Sequence, residues 1–484
     1  MRPILSNLLW PFLVCSPPAQ HDFHRDHVLG TSFDLEVVAA SRAAAEPAAA
    51  AALAEIDRLA AILSTWSERT PITALNRGEV LEPAPAELVA VLELCAGFRQ
   101  RTGGAFDERL GELISLWRTA GALGKSPGRA ELDEALANLR QARLTIDART
   151  GRVTPEGGIW LNVDALAKGY IVDHALAAAR AAAPQAQGLL LAIGGDMRAA
   201  GKGEDGKPWP ISIADPRHPE ENQLPLTRLA LDGRAIATSG SYARGAHILD
   251  PRTGRPATGV LAASVVAPEC ATADALATAL NVLEPERGLE VVAATPGAEC
   301  LIVAADGLVV RSKGWRTLEI TGPQAAATPP AAAWPPGSEV AITLTLANVA
   351  ARGYRRPYVA VWIENEQKEL VRTIALWGNE RRWVPELSGW WRASGRKFTT
   401  VQAVSRATRP AGEYRLAWDG RDDAGKPLPP GNYTFLIEIS REHGRHVTSR
   451  KQVVCGKEPF AIELPGNAEM QGAWLRSGQQ ELRR

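Results

Sequence analysis

Apolar and polar residues follow two different periods in the first two thirds of this 484-residue chain. From Phe33 to Val37 apolar residues alternate with acidic ones, which is the period of a half-buried strand. The apolar residues between Leu88 and Phe98 recur at helical spacing, and that segment ends at Gly103 and Gly104. Segments of both kinds follow one another, which predicts an α+β domain.

The pattern changes after an Ala- and Pro-rich stretch at residues 321–337, which we interpret as an interdomain linker. Beyond it, short aromatic and β-branched runs such as 358–363 and 433–439 are separated by Gly, Pro and Asp clusters. They predict an all-β, immunoglobulin-like sandwich, with its tryptophans as core residues rather than as a stacking platform for a ligand.

These features divide the chain into five predicted segments, as expected for a length that exceeds one ordinary domain. They are a signal or anchor segment at 1–20, the α+β domain at 21–320, the linker at 321–337, the sandwich at 338–465 and a polar tail at 466–484.

The N-terminal segment carries an export signal. Arg2 precedes an apolar run from Leu8 to Val14, which is too short to span a bilayer and resembles the core of a signal peptide. We therefore expect an exported or periplasmic protein. One alternative is a lipidated Cys15 that anchors the protein at the outer face of the inner membrane, and the other is a clipped, unlipidated peptide.

Charge and cysteine usage narrow the classes of partner. Lys plus Arg and Asp plus Glu number 54 each, so no net field attracts nucleic acid, and we expect no nucleic-acid partner. The four cysteines after Cys15 lack the spacing of a metal site and are expected to be small core residues. A disulfide between Cys270 and Cys300 stays open as an alternative.

Asp274 and Thr278 lie four residues apart in an Ala- and Leu-rich segment, so they share one face of a predicted helix. A carboxylate and a hydroxyl are hard oxygen donors that suit magnesium. The alternative is a helix-start carboxylate beside a solvent-facing hydroxyl.

Three further stretches contain candidate ligand-binding residues. Lys168 stands where a strand-like run turns into a helix, a place that can hold a diphosphate, although it could equally be a surface lysine. Gly194 and Gly195 follow a buried strand and precede Asp196; they either allow close approach of a ligand or form a plain turn. The hydroxyls of the 238–241 run precede His247, an imidazole suited to proton transfer or to a structural role.

Together these stretches resemble the FAD:protein FMN transferases of the ApbE family, in one order from about Val28 to Ile320. The matching motifs are Leu29-Gly30-Thr31, Leu63-Ser64-Thr65-Trp66 with Ile72 to Asn76, Gly104-Ala105-Phe106-Asp107, Ala167-Lys168-Gly169-Tyr170 with Asp173, Gly194-Gly195-Asp196, Thr238-Ser239-Gly240 with Tyr242, His247 to Gly254, and Ala273-Asp274-Ala275 with Thr278.

The resemblance implies that 21–320 is a flavin transferase domain. It would split FAD at its diphosphate and pass FMN to a Thr or Ser hydroxyl of an acceptor protein with a Ser/Thr-Gly-Ala-Thr-like motif, releasing AMP. It also implies Mg²⁺ bound by Asp274, Thr278 and the carbonyl of Ala167, and catalytic roles for His247, Asp274 and Lys168. The implied FAD-binding residues are Thr31, Trp66, Asp107, Lys168, Gly194, Gly195, Asp196, Thr238, Ser239, Gly240 and His247.

Several positions depart from the family pattern. Trp66 replaces a Tyr, Glu108 and Arg109 replace Pro and Thr, the run 162–166 replaces Asp-Leu-Gly-Gly-Ile, and Ala246 replaces a first His. An FAD pyrophosphatase that gives FMN and AMP, or a non-catalytic flavin carrier, remain alternatives.

The tail resembles an uncharacterised domain found beside these transferases. Its Ser405 to Thr408 run is similar to the flavin-acceptor signature, with Arg406 in place of Gly.

Overall fold

The computed structural model places the chain in two compact units, the first made of residues 1–211 and 229–319 and the second of 212–228 and 320–484. The structure describes residues 17–147, 149–217, 225–240, 248–320, 334, 339–347, 356–378, 384–395, 405–406, 408–409, 411–423, 425–442 and 444–478.

Helices and strands alternate in the first part of the chain, as the two periods predict. The helices are α1 (Arg42–Leu63), α2 (Pro71–Asn76), α3 (Ala86–Arg101), α4 (Gly111–Ala122), α5 (Arg129–Gln141), α6 (Asp164–Ala182), α7 (Cys270–Leu280) and α8 (Pro285–Ala293). The strands are β1 (Ala19–Val28), β2 (Thr31–Ala39), β3 (Arg143–Asp147), β4 (Arg152–Glu156), β5 (Gly188–Ile193), β6 (Asp196–Gly201), β7 (Trp209–Ile213), β8 (Thr227–Leu231), β9 (Ala235–Gly240), β10 (Leu249–Asp250), β11 (Arg255–Pro256), β12 (Val260–Ala267), β13 (Glu299–Ala304) and β14 (Val309–Arg311).

An eight-stranded sheet organises the first unit, in the order β1-β2-β5-β6-β9-β12-β13-β14. Every neighbouring pair is antiparallel. Phe33, Leu35 and Val37 of β2 are fully buried while the acidic residues between them are not, because side chains alternate between the two faces of a strand. Helices α1, α6 and α7 contribute the other half of the same core.

Alanine makes up about half of the buried face of α1 and of α7. Helix α1 begins at Ser41, whose hydroxyl accepts a hydrogen bond from the Ala44 N–H, and buries Ala45, Ala48 and Ala52. Small side chains on this face let α1 pack closely against the rest of the core.

Two sheets form the second unit, one of four strands in the order β19-β15-β23-β22 and one of five in the order β18-β17-β16-β20-β21. Their inward side chains share one apolar core, so this unit is the predicted β-sandwich. Its strands are β15 (Val340–Leu346), β16 (Tyr358–Glu364), β17 (Leu370–Trp377), β18 (Ser405–Arg406), β19 (Gly412–Trp418), β20 (Gly431–Ser440), β21 (His446–Cys455), β22 (Phe460–Pro465) and β23 (Met470–Ser477), and it also contains a short helix, α9 (Ser388–Ala393).

Tryptophans lie in two apolar clusters of this unit: Trp377 and Trp418 are in the core between the two sheets, and Trp362 and Trp390 are in a second cluster that includes Val384 and Leu387. The side chains of Trp362, Trp377, Trp390 and Trp418 are all less than 2 % exposed. The interpretation of these residues as core fillers is therefore confirmed.

Two predicted boundaries of the sandwich need correction. The tail expected at 466–484 contains β23, which pairs with β15 and β22 and buries Met470, Ala473 and Leu475. Gln471 and Gly472 interrupt its apolar residues, and a register shift against β15 at this point breaks the regular alternation, so the local pattern does not predict a strand. Trp334, inside the predicted linker, packs edge-on against Trp418 at 4.7 Å between ring centroids.

The described cysteines 95, 270, 300 and 455 are free and buried, so the structure does not contain the Cys270–Cys300 disulfide. Cys15 lies outside the described residues. Among the described residues, no helix is long and apolar enough to cross a membrane.

The contact between His24 on β1 and Asp34 on β2 predicts that the stability of the fold depends on pH. His24 Nδ1 lies 2.7 Å from the Asp34 carboxylate, and that hydrogen bond, opposed by burial, raises the pKa of His24. The stabilisation is therefore complete below the unfolded pKa of about 6.5 and is lost as pH rises through the higher folded pKa. We expect His24→Asn to lower the melting temperature at pH 5.5 more than at pH 8.5, and an equal loss at both would contradict this assignment.

Candidate functional site

Several motifs that are far apart in sequence lie together at one end of the eight-stranded sheet. Thr31 begins β2, the Gly194-Gly195 turn joins β5 to β6, and Thr238, Ser239 and Gly240 end β9. In an antiparallel sheet the start of one strand lies beside the end of its neighbour, so these segments meet at the same end of the sheet.

The glycine turn is shaped by close backbone approach. Gly194 has φ +62°, and a Cβ there would lie 3.0 Å from Thr31 Oγ1. The Gly195 carbonyl accepts a hydrogen bond of 3.2 Å from the Thr238 N–H. A side chain at Gly194 would therefore both strain the backbone and collide with β2.

Helices α6 and α7 cross at Gly169, close to this end of the sheet. A Cβ on Gly169 would lie 2.4 Å from the Cys270 carbonyl oxygen, so only glycine permits this approach. The Gly169 N–H donates to Asp274 Oδ2 at 3.2 Å. The helix that carries Lys168 and the helix that carries Asp274 are thereby held together.

Lys168 and Asp196 form an ion pair at the site. Lys168 lies in the first turns of α6, and its ammonium contacts Oδ2 of Asp196, the first residue of β6. The side chains are 24 % and 2 % exposed, respectively. A buried carboxylate thus positions a partly exposed cation beside the glycine turn.

Asp274 is a buried carboxylate that is hard to ionise in this environment. Burial, reinforced by the nearby Asp196 and opposed by Lys168 and the Gly169 N–H, raises the pKa of Asp274 to about 7. The Gly169 N–H is its single hydrogen-bond donor among the described residues. A cation beside this carboxylate would offset the cost of its burial.

The donor set fits magnesium. Thr278, one turn beyond Asp274 on α7, is half-buried, and its hydroxyl lies 3.4 Å from the Ser239 hydroxyl. Ala167 lies buried on α6, next to Lys168. Within the described part of the chain no three His, Cys, Asp or Glu side chains form a metal cluster. A cation here would therefore use one carboxylate, a hydroxyl and backbone, and draw its remaining oxygens from a ligand.

Two polar residues that the sequence analysis missed support this region. The Asn281 amide donates to the carbonyls of Ser239 and Ala277 at 3.0 and 2.8 Å, which ties α7 to β9. Ser264 shares a 2.8 Å hydrogen bond with the Thr238 hydroxyl. Asn281 lies three residues after Thr278, so helical spacing could have identified it.

Asp107 is engaged by a residue that departs from the family pattern. Arg109 donates to both of its carboxylate oxygens, at 2.9 and 2.6 Å, and the Asp107 side chain is 5 % exposed. The Asp107 carboxylate could contact a ligand only if Arg109 moved, so its predicted role in FAD binding stays a prediction.

Trp66 differs from these groups in being exposed. Its side chain is 75 % exposed, and the Arg118 guanidinium lies 5.3 Å from the ring centroid. An exposed aromatic face of this kind can stack on a planar ligand. The predicted catalytic His247 lies outside the described residues, as do Ser241 and Tyr242.

This end of the sheet offers the Lys168 cation, a glycine turn, the hydroxyl groups of Thr31, Thr238, Ser239 and Thr278, and the buried Asp274 carboxylate, which is suited to a divalent cation. Such a set can bind a diphosphate and stabilise charge that develops on it.

Two family models match separate parts of the chain. Residues 29–302 match the family model described as ApbE family, and residues 339–472 match one described as a predicted periplasmic protein, DUF2271. The chain is 31% identical to the FAD:protein FMN transferase of Haemophilus influenzae, over 52% of this chain and 77% of that protein. It is 30% identical to the enzyme of the same name from Vibrio cholerae, over 60% of this chain and 90% of that one.

The ApbE protein of Thermotoga maritima, a solved structure, covers 62% of this chain and is itself covered completely, with a TM-score of 0.55 and 31% identity. The family model spans more than half of the chain, and the matched residues include every described residue that is named above for the candidate site. This chain therefore belongs to the ApbE family.

Proposed function

We propose that the chain transfers FMN from FAD to a Thr or Ser hydroxyl of an acceptor protein and releases AMP. The observation that carries this proposal is that Lys168, Asp196 and Asp274 lie together at one end of the sheet, beside the Gly194-Gly195 turn. Relatives that cover the same part of the chain are named FAD:protein FMN transferase.

In the reaction, the acceptor oxygen forms a new bond to the FMN phosphorus while the diphosphate P–O bond breaks, and AMP leaves. Lys168 is placed to neutralise a phosphate oxygen, since it combines a side-chain cation with the first turns of α6. The nucleotide is proposed to lie along the Gly194-Gly195 turn, which itself packs closely against Thr31 of β2. The hydroxyls of Thr238 and Ser239 add polar contacts at the end of β9.

We propose Asp274, Thr278 and the carbonyl of Ala167 as the residues that hold Mg²⁺. When bound, the ion neutralises charge on the transferred and leaving phosphates, which contributes several kcal/mol at the transition state. The proton of the acceptor hydroxyl is assigned to the His247 imidazole, on the family resemblance alone.

The acceptor is proposed to be a protein with a Ser/Thr-Gly-Ala-Thr-like motif outside the cytoplasm. The description of the C-terminal family as periplasmic supports export. The signal segment and an anchor at Cys15 remain part of this proposal.

The test is to incubate the full chain with FAD, Mg²⁺ and an acceptor protein that carries this motif, then measure AMP release and the intact mass of the acceptor. We expect one FMN adduct on the acceptor for each AMP. Release of FMN and AMP with an unmodified acceptor would support the pyrophosphatase instead, and intact FAD bound without turnover would support a flavin carrier.

Removal of the β-sandwich should leave the chemistry intact. A protein truncated after Gly322 is expected to cleave FAD within about threefold of the full-length rate, because every residue assigned to the site precedes that position; about 0.7 kcal/mol in the barrier corresponds to this margin. AMP release measures the rate, and circular dichroism checks the fold. A folded truncation that no longer cleaves FAD would make the second unit part of the site.

We expect no FMN adduct on Thr408 of the wild-type protein. Ser405 and Arg406 form a short strand parallel to Leu376 and Trp377, and Arg406 stands where the acceptor signature has Gly. Peptide mapping after incubation with FAD and Mg²⁺ measures labelling, with Arg406→Gly as the variant expected to label more and Thr408→Ala as its control. An adduct on Thr408 of the unmutated chain would make the C-terminal unit a substrate.

A further inference from the structure

Helix α7, which carries both proposed side-chain ligands, has no N-terminal cap of its own. Its N-cap residue, Glu269, makes no side-chain capping hydrogen bond. The carboxylate of Asp173, from α6, takes this place: it accepts the N–H of Cys270 at 2.8 Å and the N–H of Ala271 at 3.0 Å. One carboxylate therefore satisfies two of the free N–H groups at the start of α7.

Asp173 is itself held in place. Arg198 of β6 donates to its Oδ1 at 2.6 Å, and the Asp173 side chain is 11 % exposed. Arg198 follows Asp196 by two residues on the same strand. The start of α7 is thus fixed both to α6 and, through Arg198, to the sheet.

These contacts determine where the Asp274 carboxylate lies. Cys270 and Asp274 are one turn apart on α7, and Gly169 and Asp173 are one turn apart on α6. The two helices are joined at both turns, by Asp173 to the Cys270 N–H and by the Gly169 N–H to Asp274. A slide or rotation of α7 would break the first contact and displace Asp274 from the second.

We propose that Asp173 is a positioning residue for the divalent-cation site: by capping α7 across the helix–helix contact, it holds Asp274 and Thr278 where they can bind the ion together. This rests on the proposed function, because that function supplies the cation. Asp173 contacts neither the cation nor FAD in this assignment and acts through α7.

The chain contains a matched control for the loss of a capping carboxylate. In the β-sandwich, Glu438 accepts the N–H groups of Gly389 and Trp390 at 2.9 and 2.8 Å and so caps α9 across the fold. Its side chain is fully buried, and His446 Nε2 lies 2.6 Å from its Oε1. Glu438→Gln therefore reproduces the chemical change of Asp173→Asn far from the site residues in sequence.

The experiment is titration of Mn²⁺ into the full-length protein, followed by electron paramagnetic resonance, together with the Mg²⁺ dependence of FAD cleavage. Asp173→Asn should weaken Mn²⁺ binding about 10- to 100-fold, as loss of an outer partner of a metal site does. Saturating Mg²⁺ should restore most of its turnover, with the KM for FAD unchanged. Glu438→Gln should lower the melting temperature and leave Mn²⁺ affinity unchanged.

Equal Mn²⁺ affinity in the wild type and a folded Asp173→Asn protein would overturn the positioning role and leave the proposed function standing. A wild type that neither binds Mn²⁺ nor cleaves FAD would overturn the proposed function itself. If Asp173→Asn does not fold, Arg198→Gln carries the test, because it removes the ion pair that holds the Asp173 carboxylate against the N–H groups of α7, so Mn²⁺ binding should weaken in this variant too. An unchanged Mn²⁺ affinity in that variant would then overturn the proposal.

Discussion

Asp274→Asn is expected to reduce FAD cleavage at least about a hundredfold, because the substitution removes the one carboxylate proposed to hold Mg²⁺. A metal that neutralises transferring phosphates contributes several kcal/mol, and each 1.36 kcal/mol is about tenfold in rate. AMP release measures the effect, and wild-type protein treated with a chelator should show a loss of the same size.

The same variant should not lose stability. Burial and the neighbouring Asp196 raise the pKa of Asp274 to about 7, so the folded protein opposes the charge that the carboxylate would carry in water. A neutral amide of the same shape avoids this cost. In metal-free buffer we expect Asp274→Asn to melt at or above the wild-type temperature. Unchanged turnover of the variant would remove Asp274 from the mechanism.

The second large effect is expected from the Lys168–Asp196 pair. Lys168→Met would leave the Asp196 carboxylate, 2 % exposed, without this cation. Removal of one partner from a buried ion pair costs about 3 kcal/mol, the low end of the usual range because the Lys168 side chain is partly exposed. The variant would also lose the cation that favours the charged form of Asp274, so we expect FAD cleavage to fall about a hundredfold or more.

A double variant separates the two consequences. Lys168→Met with Asp196→Asn removes both charges, so its stability should return to within about 1 kcal/mol of the wild type, while FAD cleavage stays lost. Chemical denaturation and AMP release measure the two quantities on the same samples. A double variant that recovers turnover, or a single variant of wild-type stability and activity, would contradict the role of this pair.

Local patterns were sufficient to predict the architecture. The alternation in β2, the helical spacing in α3 and the Pro-rich linker each follow from residues close together in sequence, and they predicted an α+β domain and a β-sandwich correctly. Strand β23 was missed because a register shift beside Gln471 and Gly472 breaks its alternation, and because the strands that it pairs with lie elsewhere in the sequence.

The candidate site was predictable only in part. Spacing placed Asp274 and Thr278 on one helical face, as observed, but the pairing of Lys168 with Asp196 depends on how α6 lies against the sheet. Arg109 departs from the family pattern, and this is visible in the sequence. Its hydrogen bonds to Asp107 are visible only in the structure. Asp173 belonged to a recognised motif, yet its capping of α7 joins residues about a hundred positions apart, which no local pattern encodes.

One measurement tests most directly whether the candidate site binds a divalent cation at Asp274 and Thr278 for reaction on FAD. Crystals of the protein grown with FAD and Mn²⁺ would be measured for anomalous scattering from manganese. We expect a manganese peak in contact with the Asp274 carboxylate, the Thr278 hydroxyl and a phosphate oxygen. Bound FAD with its manganese at other residues, or with no manganese at Asp274, would contradict it.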